Sequence, residues 1–123
     1  MILDTSVVMA IIQREADWQL QLARLQEADV LRISAGTLQE LLVVAHCRSL
    51  LPAVEAFLAL LDPDVVPVDA ELARRALGLF QRHGKGQGNR AQLNFGDCFA
   101  AALAERDSLP LAFVGSDFSD AGF

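Results

Sequence analysis

The sequence has 123 residues, of which 53% are hydrophobic and 21% charged, and its formal net charge is −6. This length predicts a single domain, residues 1–123, and the apolar composition excludes a disordered chain. The acidic balance argues against a protein that coats nucleic acid, because phosphate binding requires cations.

No apolar run approaches the length of a membrane span, and Asp4 interrupts the first apolar run. The sequence therefore predicts neither a membrane segment nor a signal peptide. The two cysteines, Cys47 and Cys98, do not form a ligand-like pair. We expect reduced, buried thiols in a cytoplasmic protein.

Short strands and helices alternate along the chain. In chain order, the pattern predicts strands at residues 1–3, 30–33, 65–68 and 111–114, and helices at 7–12, 16–28, 34–47, 53–61, 70–83 and 93–104. Such alternation is typical of an α/β fold in which helices cover both faces of a parallel sheet.

The helix predicted at 93–104 is apolar almost all round and carries one acid near its start, Asp97. Asn94 is a suitable N-cap. One stripe of this helix is expected to be buried, and it contains Phe95, Cys98, Phe99, Ala102 and Leu103. An ionised carboxylate in such a setting requires a cation, a metal or several hydrogen-bond donors, whereas the simpler alternative is that Asp97 only complements the helix dipole.

Three further acids lie near the ends of other elements: Asp4 after the first strand, Glu40 in the helix after the second, and Asp117 after the fourth. Each has a structural alternative, since Asp4 could cap the next helix and Glu40 could close a capping box with Thr37. Because the carboxyl ends of parallel strands share one edge, we expect Asp4, Glu40, Asp97 and Asp117 to meet in one pocket.

Clustered carboxylates repel one another, and a divalent cation is the natural way to hold them together. Oxygen ligands favour Mg²⁺ or Mn²⁺, and these ions support hydrolysis of phosphodiesters. Half of the ten Lys and Arg residues lie between Arg74 and Arg90, a segment without acids. Its glycine-rich part presents Lys85 and Arg90, which we expect to hold a polyanion.

Four motifs together resemble the PIN-domain ribonucleases, and specifically the VapC-type toxins of type II toxin–antitoxin systems. The motifs are Leu3-Asp4-Thr5-Ser6, Ser34-Ala35 followed by Glu40-Leu41, Asn94-Phe95-Gly96-Asp97-Cys98, and Gly115-Ser116-Asp117-Phe118. The resemblance covers nearly the whole chain in the family's order. It implies a PIN-like three-layer α/β/α sandwich around a mainly parallel sheet of four to five strands.

The resemblance also implies an endoribonuclease that depends on Mg²⁺ or Mn²⁺, with Asp4, Glu40, Asp97 and Asp117 as its catalytic and metal-binding acids. Ser6 and Thr5 would donate hydrogen bonds around these acids. Lys85 and Arg90 would contact the RNA backbone. The implied partners are an RNA substrate, a cognate antitoxin and a second copy of the chain.

Other protein classes explain the motifs less well. A haloacid-dehalogenase-like phosphatase requires a second Asp where this chain has Ser6, and a receiver domain requires a strand-end Lys that is absent. A catalytically inactive PIN-like module that binds RNA or a protein partner is the remaining alternative. Retention of all four acids argues against it, because an inactive domain gains nothing from clustered charges.

Overall fold

The structure is a computed structural model that describes all 123 residues. Its elements, in chain order, are β1 (Ile2–Leu3), α1 (Thr5–Ile12), α2 (Trp18–Glu27), β2 (Arg32–Ser34), α3 (Ala35–Cys47), α4 (Leu51–Leu61), β3 (Asp64–Val66), α5 (Ala70–His83), α6 (Asp97–Asp107), β4 (Leu111–Ala112) and α7 (Asp117–Asp120). No helix has both the length and the apolar character needed to cross a membrane.

The four strands form one parallel sheet in the order β3-β2-β1-β4. The predicted α/β class and the four-stranded parallel sheet are confirmed. In this order β1 is a central strand, with β2 on one side and β4 on the other. The residue that follows β1, Asp4, therefore emerges at the middle of the sheet's carboxyl edge.

Alternate residues of the central strands enter two separate hydrophobic clusters. Ile2 and Leu111 pack with α5 and α6, whereas Leu3 and Ala112 pack with α1, α3 and α4. Successive side chains of a strand point to opposite faces of a sheet. The sheet is thus covered on both faces, which gives the predicted three-layer arrangement.

Helix α6 begins later than the sequence pattern predicts. Its first residue is Asp97 and its N-cap is Gly96, so Asn94 and Phe95 belong to the preceding turn. The prediction that Phe95 is buried in the helical stripe is wrong, because its side chain is 79% exposed. The alanines and Leu103 that follow are buried as expected.

A capping box formed by Thr37 and Glu40 requires Thr37 to be the N-cap of α3, but the helix begins at Ala35. Ser34 is the N-cap and accepts a hydrogen bond from the Gly36 N–H at 3.2 Å. Thr37 is buried inside the helix, and its Oγ1 has no hydrogen-bond partner. The capping-box interpretation of Glu40 is therefore wrong, and this acid is held in another way.

The two cysteines differ in environment. Cys98 is buried in α6, whereas Cys47 is exposed at the end of α3, so the expectation of a buried thiol is wrong for Cys47. Burial, and then the negative charge of Asp97, raise the pKa of the Cys98 thiol to about 11. At neutral pH this thiol is protonated and behaves as a small apolar side chain.

Candidate active site

Asp4 is placed by the junction between β1 and α1. Its side chain is the N-cap of α1, and its Oδ2 accepts hydrogen bonds from Ser6 N–H at 2.9 Å and from Ser6 Oγ at 2.6 Å. The residue is 2% exposed, and its Oδ1 is buried with no hydrogen-bond partner. Burial raises the pKa of Asp4 against the lowering effect of the Ser6 hydrogen bonds. Capping therefore accounts for only one of the two carboxylate oxygens.

Glu40 is held from two sides by residues distant in sequence. Its Oε1 accepts a hydrogen bond from Thr5 Oγ1 at 2.7 Å. Its carboxylate also lies directly against Gly96, at the position that a Cβ would occupy on any larger residue. The turn before α6 thus leaves room for the Glu40 carboxylate only because it contains glycine.

Asp97 is fixed by a pair of reciprocal hydrogen bonds with Asn94. The Asn94 N–H donates to Asp97 Oδ2, and the Asp97 N–H donates to Asn94 Oδ1, each at 2.9 Å. Asn94 thus accepts a hydrogen bond from the first residue of α6, but the N-cap of that helix is Gly96, so the prediction that Asn94 is the N-cap is wrong.

The electrostatic environment of Asp97 disfavours its negative charge. Burial, and then the negative charges of Asp4, Glu40 and Asp117, raise its pKa to about 6. The hydrogen bond from the Asn94 N–H lowers the pKa and offsets only part of this effect. The shift shows that the acids lie close enough to influence one another.

Three of the four predicted acids, Asp4, Glu40 and Asp97, line one open cleft of about 360 Å³. Its other lining residues are Thr5, Ser6, Met9, Glu15, Val44, Arg48, Asn94 and Val114. The cleft lies beyond the carboxyl end of β1, where ligands bind in open α/β sheets. Three of the four acids therefore lie at the edge of the sheet that the sequence predicts.

Asp117 lies at the margin of this arrangement. It is exposed in the first turn of α7 and does not line the cleft, although its charge contributes to the raised pKa of Asp97. No three His, Cys, Asp or Glu side chains are near enough to one another to form a ready-made metal site. The carboxylates point to one cleft, but they are too far apart in this structure to form a complete set of metal ligands.

The two basic residues predicted to bind RNA lie outside the cleft lining. Lys85 is exposed in the loop after α5, and Arg90 forms an ion pair with Asp120 at 3.4 Å. The cation that does line the cleft, Arg48, was not singled out from the sequence.

The geometry can be compared with known proteins. The PIN domain family profile matches residues 1–123. The chain is 35% identical over 125 residues to Ribonuclease VapC28 of Mycobacterium tuberculosis, with 99% of this chain and 94% of that protein covered. The chain belongs to the VapC ribonucleases of the PIN domain family.

Further relatives agree with this assignment. Ribonuclease VapC of Mycolicibacterium smegmatis is 35% identical over 121 residues, covering 96% of this PIN domain and 93% of the relative. The crystal structure of Mycobacterium tuberculosis VapC20, a toxin that cleaves the sarcin-ricin loop, superposes with a TM-score of 0.77 at 23% identity. That comparison covers 99% of this chain and 95% of VapC20, and it supports the fold.

Proposed function

We propose that this VapC ribonuclease is the toxin of a type II toxin–antitoxin system and hydrolyses RNA phosphodiester bonds with the aid of Mg²⁺ or Mn²⁺. The observation that carries the proposal is the convergence of Asp4, Glu40 and Asp97 on one open cleft in a chain of this family. The ribonuclease activity is inferred from the family to which the chain belongs. The metal requirement is inferred from the carboxylates that line the cleft.

The cleft residues fit a divalent cation. The Oδ1 atom of Asp4 is buried without a hydrogen-bond partner, and leaving a buried acceptor unsatisfied is unfavourable. Burial, and then the charges of the neighbouring acids, raise the pKa of Asp97, and the cleft lining carries four acids against one cation, Arg48. Carboxylate and hydroxyl oxygens are the ligands that Mg²⁺ and Mn²⁺ prefer.

In this proposal Asp4, Asp97 and Asp117 hold the principal ion, and Glu40 positions a second ion or the attacking water. When bound, such an ion polarises a phosphoryl oxygen and lowers the pKa of a water molecule. Ser6 and Thr5 keep the carboxylates of Asp4 and Glu40 in place through the hydrogen bonds described above.

The expected partners follow from the family assignment. Cleavage of RNA by a toxin requires a cognate antitoxin that restrains it in the cell, and we propose that the antitoxin covers the cleft and contacts the early helices. Lys85 and Arg90 contact the RNA backbone beyond the cleft. The protein forms a homodimer in this proposal.

Cleavage of a mixed cellular RNA pool tests the proposed activity. The protein purified free of antitoxin is expected to cut RNA with Mg²⁺ or Mn²⁺, and to stop when EDTA is added. Asp97→Asn is expected to lose cleavage, whereas Asp29→Asn, which changes an exposed acid outside the cleft, retains it. Equal cutting with EDTA would contradict the metal requirement, and no cutting by the folded protein would favour the inactive binding module.

A further inference from the structure

Arg48 lines the same cleft as Asp4, Glu40 and Asp97. Glu40, Val44 and Arg48 are spaced four residues apart along one side of α3, and all three line the cleft. Arg48 is the C-cap of α3, and its N–H continues the helical turn by donating to Val44 O at 3.1 Å. Eight residues at about 1.5 Å each place its backbone about 12 Å from that of Glu40 along the helix axis.

The Arg48 guanidinium is the one cationic group among the cleft-lining residues, and it has no carboxylate partner. It takes part in none of the ion pairs of the chain, although Glu15 lines the same cleft. Five other arginines form such pairs: Arg32, Arg75, Arg82, Arg90 and Arg106. The side chain of Arg90 is 88% exposed, so its pair with Asp120 still leaves donors free for RNA outside the cleft. The donors of Arg48 therefore remain available to an anion.

One neutral side chain orients Arg48. Gln13 Oε1 accepts a hydrogen bond from the Arg48 Nη1 at 2.6 Å, which ties the end of α3 to the end of α1. A guanidinium has five N–H donors in a planar fork, so one bond to Gln13 leaves the others free. The side chain is thus partly oriented before a ligand arrives, which reduces the entropy lost on binding.

We propose that Arg48 binds a backbone phosphate of the RNA next to the phosphate that is cleaved. This inference rests on the proposed ribonuclease function and names a substrate-binding residue for it. The acids of the cleft repel RNA, and a cation about two turns of α3 from Glu40 offsets that repulsion at a neighbouring phosphate. Guanidinium groups bind phosphate oxygens through paired, charge-assisted hydrogen bonds.

RNA binding by a cleavage-deficient protein tests the role of Arg48 directly. The parent protein carries Asp97→Asn, and the probe is a short labelled single-stranded RNA of mixed sequence, titrated in Mg²⁺ at several salt concentrations. Arg48→Ala is expected to weaken binding several-fold and to reduce the slope of log affinity against log salt by about 0.7, the value for one lost phosphate contact to a single strand.

The chain offers a closely matched control. Arg24 is also an exposed arginine held by a glutamine, with its Nη1 donating to Gln21 Oε1 at 3.4 Å, but it lies outside the acidic cleft. Arg24→Ala is expected to leave affinity and salt slope unchanged. Arg48→Lys keeps the charge and is expected to retain the slope with weaker binding, whereas Gln13→Ala weakens binding less than Arg48→Ala.

The outcomes separate this inference from the proposed function. In the otherwise native protein, Arg48→Ala is expected to raise KM with little change in kcat, because the contact is the same in the ground state and the transition state. If Arg48→Ala binds RNA with the affinity and slope of its parent, the inference is wrong even where the native protein cleaves RNA. Failure of the ribonuclease function itself would instead appear as no cleavage by the native protein.

Discussion

The position of Asp97 in the cleft is unfavourable for its own negative charge. Its carboxylate must lie beside Asp4 and Glu40 to form the cleft, yet burial and those charges raise its pKa to about 6. The reciprocal bonds with Asn94 hold it there and only partly offset the unfavourable environment. A site that is unfavourable for the folded protein alone is typical of groups positioned for a ligand.

This conflict predicts that Asp97→Asn stabilises the metal-free protein at neutral pH. The folded pKa of about 6 lies above the ordinary value of 3.8. Below 3.8 the side chain is protonated in both states and has no such effect, whereas above about 6 its charge lowers the free energy of unfolding. In EDTA, the melting temperature of Asp97→Asn should therefore exceed that of the native protein above pH 6, with the difference vanishing toward pH 4.

Addition of Mg²⁺ or Mn²⁺ provides the corresponding control. A ligand that binds only the folded state raises its stability, so the ion should raise the melting temperature of the native protein more than that of Asp97→Asn. A native protein that is more stable than the variant at pH 8 in EDTA would show that the Asp97 charge is not unfavourable in the fold.

The turn from Asn94 to Gly96 acts as one element that joins α6 to α3. Gly96 has φ −66° and ψ −39°, values that any residue adopts, so its backbone does not require glycine. The requirement comes from the Glu40 carboxylate, which fills the space of a Cβ. A small residue here lets a carboxylate from α3 approach the first turn of α6.

Gly96→Ala is expected to displace Glu40 and to reduce RNA cleavage strongly. The new methyl group overlaps the carboxylate, which must leave its hydrogen bond with Thr5. Gly78→Ala in α5 is the matched control, because a Cβ there has no atom within 4 Å. The control should retain cleavage and gain about 0.5–1 kcal/mol in the free energy of unfolding. Equal cleavage by the two variants would contradict this account of Gly96.

The sequence pattern predicts helices and strand ends correctly where the residues that determine them are close together in the sequence. Helix α5 was predicted at residues 70–83 and is found there, with Asp69 as its N-cap accepting a hydrogen bond from Leu72 N–H at 2.8 Å. The strand-end rule predicted which edge of the sheet carries the cleft. Asp4, Glu40 and Asp97 meet there as expected.

The pattern fails where the determinants are distant in sequence. The structural alternative for Glu40, a capping box with Thr37, is wrong, because the partner of Glu40 is Thr5, 35 residues away. Phe95 has the spacing of a buried helical residue, yet it lies before the first turn of α6 and is exposed. Arg48 was missed because only the fold brings the end of α3 to the cleft, although its spacing of eight residues from Glu40 was visible.

At the scale of the whole molecule, one surface departs from the arrangement of apolar cores and polar exterior. A groove between α5 and the start of α6 has a volume of about 360 Å³ and is lined only by apolar residues: Ala73, Ala76, Leu77, Phe80, Phe95, Cys98 and Phe99. Leu77 is 55% exposed and Phe95 is 79% exposed at its rim. An exposed apolar patch of this kind is typical of an interaction surface.

The groove is suited to a second copy of the chain. Phe95 lines the groove and is largely exposed, and its ring packs edge to face against Phe99 at 5.2 Å, so one surface carries both an exposed ring and an apolar hollow. A two-fold dimer requires this kind of self-complementarity.

The proposed homodimer should therefore depend on Phe95. Each of two Phe95 rings would lose the roughly 1.5–3 kcal/mol gained by burying such a side chain, so Phe95→Ser should weaken dimerisation by about a hundredfold or more. Sedimentation equilibrium of the antitoxin-free protein measures this change. Leu60→Ser is the control, because Leu60 is 86% exposed on α4, outside the groove. A dimer equally weakened by both changes, or by neither, would place the interface elsewhere on the molecule.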